Sequence, residues 1–163
     1  MAAATAVCVI PARLGSSRFP GKVLADLAGK PLVQHVCERA AGASLVTDVV
    51  VATDSPEVER AVLAFGGRVV RVDRPCATGS DRVAAAARAL PGDIVVNLQA
   101  DQPCILPAEI DLVIGRLAEP GGFDLTTLAF PSDDPAGYES RDVVKVVADP
   151  RGRALYFSRA GVP

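Results

Sequence analysis

Apolar positions along this chain recur with two alternating periods. Residues 6–11 (AVCVIP) form a short β-branched run, and Leu32, Val33, Val36, Cys37 and Ala40 then fall at helical spacing between residues 31 and 41. A second strand-like run occupies residues 48–53 (DVVVAT). Ser55-Pro56-Glu57 is a helix start: a capping hydroxyl, a proline at the first helical position and an acid near the positive end of the helix dipole. Val58, Ala61, Val62 and Phe65 give this helix its buried stripe, and Gly66-Gly67 ends it. Residues 68–72 predict a third strand. Residues 80–90 predict an Ala-rich helix with Val83, Ala86, Ala87 and Leu90 inward. Residues 94–99 (IVVNLQ) predict a fourth strand, and Pro107 opens a helix carrying Ile110, Val113, Ile114 and Leu117 on one face. Residues 124–130, 143–148 and 154–158 are strand-like. Continuous apolar strands separated by amphipathic helices predict an α/β fold, a mainly parallel sheet with helices on both faces. The last strands have fewer helices between them, which predicts an antiparallel or mixed edge.

At 163 residues, 50% apolar and 22% charged, the chain has the length and composition of one packed domain. Net charge is −2 overall, but residues 1–30 carry +3 and the remainder −5. A cationic segment in a near-neutral chain predicts a local anion site and argues against nucleic-acid binding. No apolar run reaches the ~20 residues of a membrane span. The start lacks a basic region before its apolar run, so a signal peptide is not expected. The four cysteines (Cys8, Cys37, Cys76, Cys104) lack C-x-x-C or Cys/His spacing, so they predict neither a zinc site nor a disulfide scaffold. A cytoplasmic location follows as the expectation.

In open α/β sheets, ligands bind beyond the carboxyl ends of the strands. Directly after strand one comes PARLGSSRFPGK, with Arg13, Gly15, Ser16, Arg18 and Lys22. Its cations and small residues let side chains and backbone N–H groups converge on phosphate. It is neither a Walker A loop nor a dinucleotide fingerprint, since its glycine spacing fits neither and Val23 follows Lys22 where the former needs a hydroxyl. After strand four, Gln99-Ala100-Asp101 sets a carboxylate where it could hold Mg²⁺ against phosphate or cap the next turn. Thr78-Gly79-Ser80-Asp81-Arg82 opens a helix, and its hydroxyls and amides could read a base edge or serve only as a cap. His35, the sole histidine, lies far in sequence from any nucleophile candidate and is assigned a structural role.

VIPARLGSSRFPGKVLADLAGKPLVQHV, VVVATDSPEV, TGSDR, VVNLQADQP, DVVKVVAD and ALYFSRAGVP occur in that order. Together they resemble the 3-deoxy-manno-octulosonate (Kdo) cytidylyltransferases; the acylneuraminate enzymes fit less well. The resemblance covers essentially the whole chain. It implies a Rossmann-like nucleotidyltransferase fold, a role in lipopolysaccharide biosynthesis and the reaction CTP + Kdo → CMP-Kdo + pyrophosphate. It implies catalytic Arg13, Lys22 and Asp101, with Gly15, Ser16, Arg13, Arg18 and Lys22 around the triphosphate. By the same resemblance Thr78, Gly79, Ser80 and Gln99 surround the cytidine, Asp101 ligates Mg²⁺ and Arg159 meets the carboxylate of the acidic sugar. Ala100 and Gln102 stand where the family has Gly and Glu, and Pro75-Cys76 where it has Asp-His.

The resemblance further implies a single CTP-binding domain over residues 1–163. It is C-terminally truncated relative to a family that continues for roughly 80 residues more and forms homodimers at full length. Two alternatives stay open: a non-catalytic CTP-binding remnant, and a nucleotidyltransferase for another acidic sugar or a phosphonate.

Overall fold

The computed structural model describes residues 4–15, 19–120 and 123–162. The chain divides between Thr126 and Thr127 into two compact units.

The first unit is built on a four-stranded sheet of β1 (Ala6–Pro11), β4 (Val46–Thr53), β5 (Arg68–Arg71) and β6 (Ile94–Asn97). Its order is β5-β4-β1-β6, and every pairing within it is parallel. Between β1 and β4, a small antiparallel pair of β2 (Asp26–Leu27) and β3 (Lys30–Pro31) precedes α1 (Leu32–Ala41). The remaining helices of this unit are α2 (Pro56–Ala64), α3 (Gly79–Ala87) and α4 (Pro107–Ala118).

The two-residue strand period sorts β1 between two apolar clusters. Ala6, Cys8 and Ile10 pack with Val33 and Val36 of α1, Val58 and Val62 of α2 and Ile110 and Ile114 of α4. Val7 and Val9 face the other way, onto Val83 and Ala86 of α3. The helices therefore cover both faces, as the pattern predicts. The chain steps outward from β1 to β4 and β5, then returns along α3 to place β6 on β1's other side. The strand order thus reverses at β1/β6, the place where open α/β sheets form a crevice.

Local chemistry explains the boundaries. The Ser55 hydroxyl accepts from the Val58 N–H at 3.2 Å, with Pro56 in the first turn of α2. Gly66 closes that helix with φ +81°, a conformation that favours glycine. α3 starts at Gly79, one residue before the predicted start, because Thr78 serves as the cap. It ends at Ala87, three residues early, as Ala89 and Leu90 turn back onto the carbonyls of Ala86 and Ala87.

The second unit contains α5 (Pro135–Glu139) and an antiparallel hairpin of β7 (Lys145–Ala148) and β8 (Ala154–Ser158). The antiparallel pairing expected at an edge of the main sheet is a separate two-stranded sheet. The strand expected over residues 124–130 is absent: no residue in it pairs in a ladder, and the division between units falls inside it. Its β-forming residue types favour extended backbone, but a strand also requires a neighbour to accept its hydrogen bonds.

Candidate active site

The loop after β1 turns back on itself. The Gly21 N–H donates to the Leu14 carbonyl at 2.9 Å, and Gly21 takes φ +72°, which a side chain disfavours. This closure delivers Lys22 to the sheet edge at the head of a short 3₁₀ turn, Lys22–Leu24. Val23, the residue that sets this loop apart from a Walker A motif, is its anchor: it is buried in the cluster beneath α1.

Arg13, Gly15 and Lys22 from this loop line one cavity with Thr78 and Gly79 of the α3 start and Gln99 and Asp101 beyond β6. The cavity measures about 210 Å³ and is open to solvent. Three predicted site segments, spread across 89 residues of sequence from 13 to 101, therefore meet at the β1/β6 reversal. Ser16 and Arg18 lie outside the described residues. Ser80 is not in the cavity lining, but it joins it through Asn97, whose Nδ2 donates to the Ser80 hydroxyl at 3.1 Å. Arg159 belongs to the second unit, where its guanidinium donates to the Arg141 carbonyl at 2.8 Å.

Lys22 Nζ pairs directly with the Asp101 carboxylate. Asp101 thus caps no turn in this geometry; it holds the loop lysine across the cleft. Their side chains are 29% and 48% exposed, and a pair this wet contributes at most ~1 kcal/mol. Phosphate can therefore take Lys22, and a cation can take Asp101, at little cost. Among the described residues no group of three or more His, Cys, Asp or Glu side chains converges on a metal position. One open carboxylate beside a phosphate-sized cavity still fits Mg²⁺, which keeps its waters and is commonly held by one or two carboxylates plus substrate phosphates.

The α3 start is both a cap and a cleft wall. The Thr78 hydroxyl accepts from the Asp81 N–H at 3.1 Å, and the Asp81 carboxylate accepts from the Thr78 N–H at 2.9 Å and from its hydroxyl at 2.8 Å. These bonds hold the Asp81 carboxyl below the ordinary aspartate range, the Thr78 hydroxyl contributing most. The side chain of Thr78 and the Asp81 N–H are thus occupied, and the N–H groups of Gly79 and Ser80, which lack intrahelical acceptors, are what this wall offers a ligand. Gly79 permits the approach: a Cβ there would stand 3.3 Å from both Gln99 Oε1 and Pro11 Cγ.

The sequence assigns no role to two participants. Arg82 lines the cavity and is 4% exposed; it donates to the Val72 carbonyl at 3.1 Å and to Asp54 at 2.6 Å. It thereby ties the α3 start to the ends of β4 and β5. The available signal was its place four residues before Ala86, on the stripe predicted to face inward. Asn97 ends β6 and bonds both Ser80 and Gln99; it was hidden inside an apolar strand motif. His35 stays outside the cavity lining, and its Nε2 donates to the Leu27 carbonyl at 2.6 Å, bracing the β2–β3 turn. Ala100, at the position where the resemblance implies a glycine, packs into the core cluster and also lines the cavity. Cys76 lines the cavity, half-buried.

A cytidylyltransferase family model matches residues 7–163. The chain is 51% identical over 155 residues to the 3-deoxy-manno-octulosonate cytidylyltransferase of Geobacter sulfurreducens, covering 95% of this chain and 62% of that protein. It is 55% identical over 158 residues to the protein of the same name from Anaeromyxobacter sp. (strain K), covering 95% and 63%. A solved structure of CMP:2-keto-3-deoxy-manno-octonic acid synthetase complexed with CTP superposes with a TM-score of 0.87 at 41% identity, over 98% of this chain and 66% of that one. The chain thus spans about three fifths of the length of the curated relatives it matches. With a parallel sheet reversing at β1/β6 and helices on both faces, it belongs to the cytidylyltransferase family.

Proposed function

We propose that the cleft binds CTP and transfers its CMP group to Kdo, releasing pyrophosphate. The observation that carries this reading is the meeting of Arg13, Lys22, Gln99, Asp101 and the α3 start in one open cavity, in a chain half identical to proteins named for that reaction. Arg13 and Lys22 bind the triphosphate and draw charge onto the departing pyrophosphate; Arg18 of the same loop joins them. The first turn of α3 and Gln99 hold the cytidine. Bound at Asp101, Mg²⁺ would neutralise phosphate charge as it develops. The anomeric hydroxyl attacks the α-phosphorus in line and loses its proton to water in the open cleft, and the bond from the α-phosphorus to the β-phosphate oxygen breaks. Such transfers are driven by positioning and electrostatics, without a covalent nucleophile. No helix among the described residues is long and apolar enough to cross a membrane.

The test has two arms. Calorimetry should show CTP binding that weakens about tenfold or more in Arg13→Ala, the scale of one charge-assisted contact. Pyrophosphate release should require CTP, Kdo and Mg²⁺ together. Absence of CTP binding in the folded protein overturns the reading. Binding without turnover reduces it to nucleotide capture, and turnover with another acidic acceptor in place of Kdo reassigns the sugar.

A further inference from the structure

We infer that Lys145 is the fixed cation about which the second unit is ordered, its ammonium taking the place that apolar packing takes in the first. The inference concerns the second unit alone and holds whether or not the cleft binds a nucleotide.

No described residue of this unit is buried, so its order does not come from a core. Lys145 opens β7, where it pairs with Ser158 of β8. Its Nζ donates to the carbonyls of Ser140 at 2.7 Å, Val143 at 2.8 Å and Arg159 at 2.8 Å. An ammonium has three donors and no acceptor, and a carbonyl only accepts. The direction of each bond is therefore fixed, and every donor of the side chain is used. Glu139 and Asp142 lie close in sequence, yet the ammonium forms no ion pair among the described residues. It is committed to backbone.

The three carbonyls lie outside the β7–β8 ladder. Ser140 follows α5, whose last carbonyls have no intrahelical donor. Val143 stands before β7, and Arg159 directly follows β8. One side chain thus joins the end of α5, the entry to β7 and the exit from β8. Two further bonds close the same circuit: the Arg159 guanidinium donates to the Arg141 carbonyl at 2.8 Å, and the Tyr138 hydroxyl donates to the Val162 carbonyl. Each bond is at least partly open to water, so none contributes much singly. Convergence changes that, because the rotamer entropy of one lysine is lost once for three bonds. Without the ammonium the hairpin keeps only its own ladder, which is marginal in water.

Hydrogen exchange of the full chain, read peptide by peptide for wild type, Lys145→Met, Lys145→Arg and Arg153→Met, tests this. Methionine keeps the length and removes the donors. Arginine keeps the charge, but its planar fork cannot bring three donors to one point. Arg153 is the control, an exposed hairpin cation that bonds only through its backbone among the described residues. Wild type should protect the β7 and β8 amides. Both Lys145 variants should speed their exchange about tenfold or more, the scale of one charge-assisted hydrogen bond, and leave the β1 and β4 amides unchanged. Arg153→Met should exchange as wild type. Both tyrosines, Tyr138 and Tyr156, lie in the second unit, and the chain has no tryptophan. The near-ultraviolet circular dichroism band of tyrosine should therefore weaken in step. Wild-type exchange or an undiminished tyrosine band in Lys145→Met overturns the inference. So does wild-type exchange in Lys145→Arg, which would mean that charge alone suffices. Equal acceleration in Arg153→Met would trace the effect to any lost surface cation, and unprotected β7 and β8 amides in wild type would mean that the junction orders nothing; either result overturns it as well.

Discussion

In the first unit Ile10, Val33, Val36, Val58 and Ile110 on one face of the sheet, and Val9 and Val50 on the other, are almost wholly withdrawn from water. In the second, Phe130, Leu155, Tyr156 and Phe157 are each more than half exposed, and no described residue from 127 to 162 is buried. Both stretches are rich in apolar, β-forming residues, yet one makes a core and the other an isolated hairpin. The difference lies in layering. β1 has strands on either side and helices on both faces, whereas β7 has β8 alone. A two-stranded hairpin is marginally stable at best. The first unit therefore carries the stability of the molecule, and with it the geometry of the cleft.

The largest effect that could break this contrast is a core truncation set beside a hairpin truncation. Ile10→Ala should cost about 2–5 kcal/mol by denaturant unfolding, the transfer loss plus the cavity left behind. Phe157→Ala should stay within about 0.5 kcal/mol, since the ring is already half in water. Equal losses would mean that the hairpin's apolar face is covered in solution. Hydrogen exchange offers the same comparison residue by residue: β1 and β4 amides should open only with global unfolding, and β7 and β8 amides well below it.

Arg82 sharpens the comparison within the first unit. Its guanidinium bonds elements that carry no covalent link near the cleft. Arg82→Met should cost about 1–3 kcal/mol, the range for a hydrogen-bonded charge whose partner, Asp54, can rehydrate. CTP affinity should fall more than stability alone explains, because the α3 start loses its tie to β5. Unchanged CTP binding in the folded variant would assign Arg82 to the scaffold only.

A smaller effect separates the cap from the core. Thr78→Ala should cost about 1 kcal/mol at neutral pH. The Asp81 carboxyl is depressed in the folded state, so its contribution is present above its unfolded value near 4 and is lost as pH falls through its lower folded value. The gap between wild type and Thr78→Ala, measured by urea unfolding, should therefore narrow below about pH 4. A gap that persists unchanged in acid would mean that the Asp81 charge plays no part in the cap.

The parallel sheet was legible because its signals are local. AVCVIP, DVVVAT and IVVNLQ are apolar runs bounded by turn residues, and the Ser55-Pro56 start of α2 reads directly from residue types. Residues 124–130 misled because a strand is a relation between two segments, and the partner is not written in either. At the cleft, the loop cations and Asp101 stood out as charges at strand ends. Their pairing across the sheet did not, since it depends on Gly21 closing the loop and on β6 lying beside β1. Arg82 and Asn97 were obscured by their surroundings, one in an Ala-rich helix and the other in an apolar strand, where a single polar residue looks incidental until its partners are known.

The smallest effect concerns the four thiols, all of which lie in the first unit and so report on it alone. Cys104 is exposed, Cys37 and Cys76 are half-buried and Cys8 is buried. Burial pushes the Cys8 and Cys37 thiols up to about 12, and the thiolate is the reactive form. Maleimide should therefore modify Cys104 first, then Cys76, and leave Cys8 and Cys37 until the sheet opens. CTP should slow the reaction at Cys76 and spare Cys104, since Cys76 lines the cleft and Cys104 does not. Because the Cys8 and Cys37 thiols stay protonated in the folded state, the stability they contribute is complete below about pH 9 and lost progressively as pH rises toward about 12. Labelling of Cys8 should thus accelerate over that window in step with unfolding measured independently. Rapid labelling of Cys8 at neutral pH would place β1 among the elements that open locally, and would remove the contrast between a closed first unit and an open second one.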